Sequence, residues 1–281
     1  MKARIWGCRG SLATPGRETL RYGGNTSCVE VRLEDGTLLV LDAGTGIRAL
    51  GLELVREGVN KIDLLLTHLH LDHIEGLGFF APVWDPQTEL HVWGPPSSVR
   101  SLDARIARYF SAPLFPVELK EIPARLVFHD APSEPWHLGG ARLYAEPISH
   151  PGPTLGYRIE ENGHALAYIP DHEPALGVSL ESLSADWVSG YTVAAGADVL
   201  LHDGQYFDEE YRDHMGWGHS SISDAVTFGH VTDVGSLVLF HHDPLHTDVA
   251  VDELQTQARE LWRNGGSRPD AAHEGMEFVL G

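Results

Sequence analysis

Short apolar runs alternate with polar turns along most of the chain, and their length and period separate strands from helices. Aliphatic and β-branched residues concentrate in ARIWG (3–7), CVEVRL (28–33), LLVLDA (38–43) and IDLLLTH (62–68), which read as strands. Between the last two, GIRALGLELVREG (46–58) sets apolar residues at helical spacing and predicts a helix. SVRSLDARIARYF (98–110) predicts a second amphipathic helix, after the strand LHVWGP. VELKEI, ARLVFHD, ARLYAEPISH, TLGYRI and ALAYIPD predict further strands. The last third alternates: DVLLHDG as strand, SSISDAVTFGHV as helix, SLVLFHH as strand, VAVDELQTQARELWRN (249–264) as helix, MEFVL as strand. Hairpin-like strands in both halves, with helices interspersed, suggest two packed sheets with helices outside: a four-layer αββα sandwich of the α/β class. No linker rich in Pro, Gly or Ser divides the chain and no solenoid repeat is visible, so residues 1–281 are expected to form one domain.

Composition narrows the function classes. The chain has 20 basic and 40 acidic residues, a formal net charge of −20. Such a field repels polyanions, so long nucleic acid is disfavoured without a basic cluster, and the sequence shows none. A small anionic substrate stays compatible, because bound metal reverses the local sign. Two cysteines, Cys8 and Cys28, make no disulfide framework and fit a reducing compartment. The N-terminal stretch lacks the apolar core of a signal peptide, and no apolar run approaches the ~20 residues of a membrane helix. A cytoplasmic protein that does not associate with membranes is expected; a homodimer stays open.

The unusual number is 17 histidines, and their placement changes the picture. THLHLDHIEG (67–76) follows the apolar run IDLLL and loads three histidines and an aspartate into a strand-to-helix turn. His68 and His70, two apart on an extended backbone, point to one side. Asp72 and His73 sit where the chain turns. Two imidazoles suit zinc; a carboxylate with another imidazole suits a second divalent ion such as zinc, manganese or iron. A polar loop is the alternative. One segment cannot complete either shell, so distant ligands are required.

H-x-H-x-D-H at the end of an apolar strand resembles the hallmark of the metallo-β-lactamase superfamily, and the resemblance covers nearly the whole chain. It implies the metallo-β-lactamase fold and two metal ions, with zinc first among candidates. The later ligands match in order: His150 in EPISHPGP, Asp171 in LAYIPDHE, and His241 or His242 in SLVLFHHDP. LVLFH parallels the ending such strands show in the ribonuclease Z branch, which favours His241. Taken as plain chemistry, His150 could be a turn histidine and Asp171 a turn cap. The implied cage puts His68, His70 and His150 on one ion and Asp72, His73 and His241 on the other, bridged by Asp171. Two close cations lower the pKa of a shared water and generate a nucleophile near neutrality. Asp42 in VLDAGTG resembles the carboxylate that orients a ligand histidine through its other ring nitrogen; it could equally cap the helix at 46.

RYGGNTSCVEV followed by LDAGTG resembles the ribonuclease Z and phosphodiesterase branch. LLHDGQY and GHSSISDA resemble two ribonuclease Z segments, which makes Asp72, Asp203 and His219 the implied catalytic residues. His219 would donate a proton to the leaving oxygen and Asp203 would orient it; as plain chemistry, His219 could be a neighbour of a helix cap at Ser220 or Ser221. Trp217, Ser220, His242 and His246 are candidate substrate-binding residues. Ribonuclease Z carries a long basic insertion between the third ligand and the bridging aspartate, whereas here only residues 151–170 intervene. The expected activity is therefore a metal-dependent phosphodiesterase acting on a small phosphodiester (a cyclic nucleotide, a cyclic ribose phosphate or a dinucleotide). A thioester or lactone hydrolase on the same cage is the first alternative, and a ribonuclease Z-like RNA endonuclease a weaker one. A non-catalytic binding module has no support, because each ligand position is filled, and a redox di-iron role lacks a flavin-binding segment.

Overall fold

The computed structural model describes residues 1–174, 176, 178–263 and 267–281. Six strands come first: β1 (Lys2–Gly7), β2 (Cys28–Arg32), β3 (Leu38–Leu41), β4 (Lys61–Leu65), β5 (Glu89–Gly94) and β6 (Arg125–Asp130). The next seven build a second sheet: β7 (Trp136–Leu138), β8 (Ala141–Pro147), β9 (Leu155–Glu161), β10 (His164–Ile169), β11 (Val199–Asp203), β12 (Leu237–Phe240) and β13 (Asp270–Ala271). β14 (Glu277–Val279) then returns to the first sheet, giving the orders β14-β1-β2-β3-β4-β5-β6 and β13-β12-β11-β10-β9-β8-β7. In each sheet an antiparallel half gives way to a parallel half, β3 to β6 in one and β10 to β13 in the other.

The parallel strands are apolar on both faces because each face has its own core. Leu39 and Leu41 of β3 meet Tyr168 and Phe240 between the sheets. Leu38 and Val40 point the other way, onto the helix α1 (Ile47–Glu57), which buries Ile47, Leu50 and Leu54. In the second sheet, Leu201 and Val238 face inward. Leu200 and Leu239 face the outer layer, which includes α6 (Ile222–Val231) and α7 (Asp248–Leu261). Helix, sheet, sheet, helix is the expected αββα order. Ser221 caps α6 through its side chain; Ser220 does not. No helix among the described residues is long and apolar enough to cross a membrane.

Three local expectations need correction. The helix expected over 98–110 is α-helical only in α3 (Leu102–Ile106). Beyond it the chain turns so that Phe110 packs on Phe115 and the Tyr109 hydroxyl donates to the Glu75 carbonyl at 2.7 Å. VELKEI is a 3-10 turn over Leu119–Glu121, closed by the Glu118 amide donating to the Glu121 carboxylate, rather than a strand. The helix expected over 249–264 ends at Leu261, and Asn264 lies outside the described residues. The short helix α5 (Asp208–His214) and the strands β7 and β13 have too little periodicity to be read from sequence.

What this topology does for function is converge chain ends. Asp42, His68, Asp171 and His241 follow β3, β4, β10 and β12, and Asp203 ends β11. Loops at the carboxyl ends of parallel strands are the usual seat of a site in open α/β sheets.

Candidate active site

The turn after β4 becomes the four-residue helix α2 (Leu71–Ile74), with His70 as its N-cap. That turn brings His68, Asp72 and His73, which are buried, together with His70, which stays exposed at the rim. Four overlapping donor groups form there; two share no residue, His68 with His70 and His150, and Asp72 with His73, Asp171 and His241, and His219 joins the other two. Within each group the nearest side-chain donors lie within 4.8 Å of one another. His150 Nε2 stands 3.2 Å from His70 Nδ1, and His241 Nε2 3.2 Å from Asp72 Oδ2. Asp171 lies between the groups: Oδ1 is 3.0 Å from His73 Nε2, while Oδ2 is 3.3 Å from His241 Nε2 and 3.7 Å from His68 Nε2.

The opposite edges of the rings say which nitrogens are free. His73 Nδ1–H donates to Asp42 at 2.8 Å, His150 Nδ1–H to the Gly218 carbonyl at 2.8 Å, and His241 Nδ1–H to Gln205 at 2.9 Å. His68 Nδ1 meets the Thr67 hydroxyl at 3.1 Å, and that hydroxyl donates on to Asp42. With those outer nitrogens engaged, the inward nitrogens are the atoms that would meet a metal; without one, burial opposes charge on His73, but Asp171, Asp72 and Asp42 hold its pKa well above the ordinary value. His68 Nε2, His73 Nε2 and Asp171 Oδ1 are buried without a hydrogen bond, a state that is costly unless a cation meets them. Burial lowers the pKa of His68, His70 and His150. For Asp171 burial acts upward, but His241, His73 and His68 outweigh it and hold the carboxyl well below its usual range. The donor set fits divalent metal ions, which the fold family also implies.

Asp42 is no helix cap: Gly46 precedes α1 and Asp42 is fully buried. Its carboxylate accepts from His73, from the Thr67 amide and hydroxyl, and from the Tyr168 hydroxyl at 2.9 Å. Asp42 and His241 both hold positive φ, 59° and 60°, a strained state for non-glycine residues that packing on all sides must enforce. Tyr168→Phe should lower stability by about 1–2 kcal/mol by removing one buried hydrogen bond to a charged group. Urea unfolding of metal-free protein measures it.

Asp203 and His219 meet as expected. Asp203 Oδ2 accepts from His219 Nδ1–H at 2.7 Å, and its Oδ1 accepts the Gln205 and Ser220 amides. The His219 ring stacks on His241 with centroids 4.8 Å apart and stands edge-on to His150 at 5.1 Å, leaving its other nitrogen toward the donor cluster. Burial opposes protonation of His219, but Asp203 raises its pKa to about 9.

The side chains of the four candidate substrate residues make their contacts outside the two donor groups. His242 turns away from His241, and its Nε2–H donates to the Ala272 carbonyl. His246 is bonded to Glu210, and the Ser220 hydroxyl donates to the His172 carbonyl. Trp217 is 61% exposed, its ring edge-on to His214. Histidine count and proximity in sequence do not tell which face a side chain takes.

Sequence reasoning missed Thr67, Tyr168, Gln205 and Glu173, all close in sequence to recognised residues. Glu173 is buried and accepts the Gly216 and Gly218 amides at 2.7 Å each, fixing the turn whose carbonyl holds His150. A Cβ at Gly218 would lie 2.5 Å from His150 Nδ1, which explains the glycine there. A Cβ at Gly10 would sit 2.3 Å from His241 Nδ1. Gly10→Ala should therefore push His241 out of register and cost about tenfold or more in metal affinity, read by competition with a chromogenic chelator.

Comparison with known proteins agrees with this geometry. The beta-lactamase superfamily domain matches residues 37–242. A ribonuclease Z from Mycobacterium marinum is 28% identical over 255 residues, covering 82% of this chain and 84% of the relative. Among solved structures, the metallo-beta-lactamase fold protein YhfI from Bacillus subtilis has a TM-score of 0.71 at 17% identity, covering 99% of both chains. A diphosphatase from the PhnP family has a TM-score of 0.67 at 19% identity, covering 99% of this chain and 97% of that one. The chain belongs to the beta-lactamase superfamily and is a hydrolase, with ribonuclease Z among the proteins it is similar to.

Proposed function

We propose that the protein is a dinuclear metal-dependent phosphodiesterase that acts on a small phosphodiester: a cyclic nucleotide, a cyclic ribose phosphate or a dinucleotide. His68, His70 and His150 would hold one divalent ion and Asp72, His73 and His241 the other, with Asp171 reaching both. The mixed imidazole and carboxylate donors suit zinc, and manganese or iron after it. Bound there, the ions would lower the pKa of a water between them and draw off charge building on the attacked phosphoryl group.

The chain's own residues supply the rest. Asp42 and Thr67 orient His73 and His68, and Gln205 orients His241. His219 would pass a proton from its free nitrogen to the leaving oxygen, held in line by Asp203. That hydrogen-bonded pair beside the donor cluster carries the reading, because an alkoxide leaving group needs a proton and a thiolate far less.

Two features favour a small substrate. β9 and β10 form a hairpin across the two-residue turn Asn162–Gly163, and this hairpin fills most of the span between His150 and Asp171. The net charge of −20 repels a folded polyanion. Similarity to ribonuclease Z favours an RNA end as the second reading, and these two features weigh against it. Both cysteines are buried and unpaired, which supports a reducing, cytoplasmic setting. Hydrolysis of bis(p-nitrophenyl) phosphate should be lost with EDTA and recovered with zinc or manganese. Turnover of a thioester or lactone, with none of any phosphodiester, would replace this reading with an acyl hydrolase.

A further inference from the structure

A cleft of about 390 Å³ opens directly beside His68 and His70. It is too large for a phosphate alone and lies in the range of small-molecule sites. Its lining runs against the charge of the chain: with 40 acidic residues to 20 basic ones overall, the described cleft residues include Arg105 and Arg108 and no carboxylate. The two arginines differ. Arg105 is largely buried, donates to the Pro95 carbonyl and stands 4.0 Å from Asp130. Arg108 is exposed and has no side-chain hydrogen bond or ion pair among the described residues. Tyr109 presents a ring fixed by its hydroxyl on Glu75, and Leu114, 70% exposed, adds apolar surface. A flat apolar wall beside an unpaired guanidinium suits a nucleoside that carries its own anion.

We propose that this cleft seats a second anionic group of the substrate, beyond the phosphodiester being cut, and that Arg108 is the residue that reads it. The substrate class narrows to phosphodiesters of nucleotide size with a neighbouring phosphate. The inference rests on the phosphodiesterase reading, and the position of Arg108 on the loop side of α3 keeps it clear of the metal donors. A charge-assisted, solvent-accessible hydrogen bond of this kind corresponds to about tenfold in binding.

The test uses the p-nitrophenyl ester of thymidine 5′-phosphate with and without a 3′-phosphate, two diesters with one leaving group and one nucleoside. Wild-type protein should prefer the 3′-phosphorylated diester about tenfold in kcat/KM, through KM rather than kcat. Arg108→Ala should bring the ratio close to one, and Arg108→Lys should keep part of it. A preference that survives in Arg108→Ala, or one absent from wild type, overturns the proposal. Calorimetric binding of adenosine 3′,5′-bisphosphate adds a readout without turnover, and Arg108→Ala should weaken it about tenfold. If neither diester is hydrolysed, the phosphodiesterase reading fails and calorimetry alone decides the cleft: an unchanged affinity in Arg108→Ala overturns it.

Discussion

Replacing His219 with alanine is expected to slow hydrolysis of a diester with an alkoxide leaving group about a hundredfold or more, and of a p-nitrophenyl diester far less. The difference follows from the leaving groups. An alkoxide departs with full negative charge and depends on a proton delivered in the transition state. p-Nitrophenolate is stable without one. In the proposed mechanism Asp203 would place His219 for this delivery, and its carboxylate is itself held by the His172, Gln205 and Ser220 amides. Asp203→Asn should reproduce part of the loss by releasing the ring from its orientation. The measurement is kcat/KM for methyl p-nitrophenyl phosphate against a dialkyl or cyclic diester. Equal losses on both would mean that His219 shapes the site without donating a proton.

Asp171→Ala should have the larger effect on all substrates. Its two oxygens face both donor groups, and no other carboxylate side chain does so among the described residues. Losing it removes several kcal/mol of charge stabilisation, on the order of a 10³-fold fall in rate. The same substitution should blunt the rise in melting temperature that zinc gives the wild type, because metal that binds the native state stabilises it by mass action. Thermal unfolding with and without zinc separates the two effects. An unchanged zinc-induced shift in Asp171→Ala would show that Asp171 holds no metal.

The legible part of this molecule was the part written contiguously or repeated at strand ends. Residues 67–73 carry four donors in one turn; His150, Asp171 and His241 each follow an apolar run, and the resemblance to the metallo-β-lactamase superfamily is what singled them out. The continuous apolar strands β3, β11 and β12 likewise announced a sheet buried on both faces. What stayed hidden depends on contacts between residues far apart in sequence. Tyr168 looks like core in ALAYIPD, and only its hydroxyl on Asp42, 126 positions away, gives it a role. Arg108 falls within the helix expected over 98–110, but α3 ends before it at Ile106 and Arg108 lines the cleft. His242 and His246 bond to Ala272 and Glu210, partners that no pattern in the sequence shows.

The proposed activity depends on two divalent ions in the His/Asp cluster. Titrating metal-free protein with zinc, while following bis(p-nitrophenyl) phosphate hydrolysis and bound metal together, tests it most directly. No turnover is expected at the start, then a rise that ends at about two ions per chain. Full turnover by protein stripped of metal, or zinc binding that never brings activity toward any phosphodiester, would contradict it.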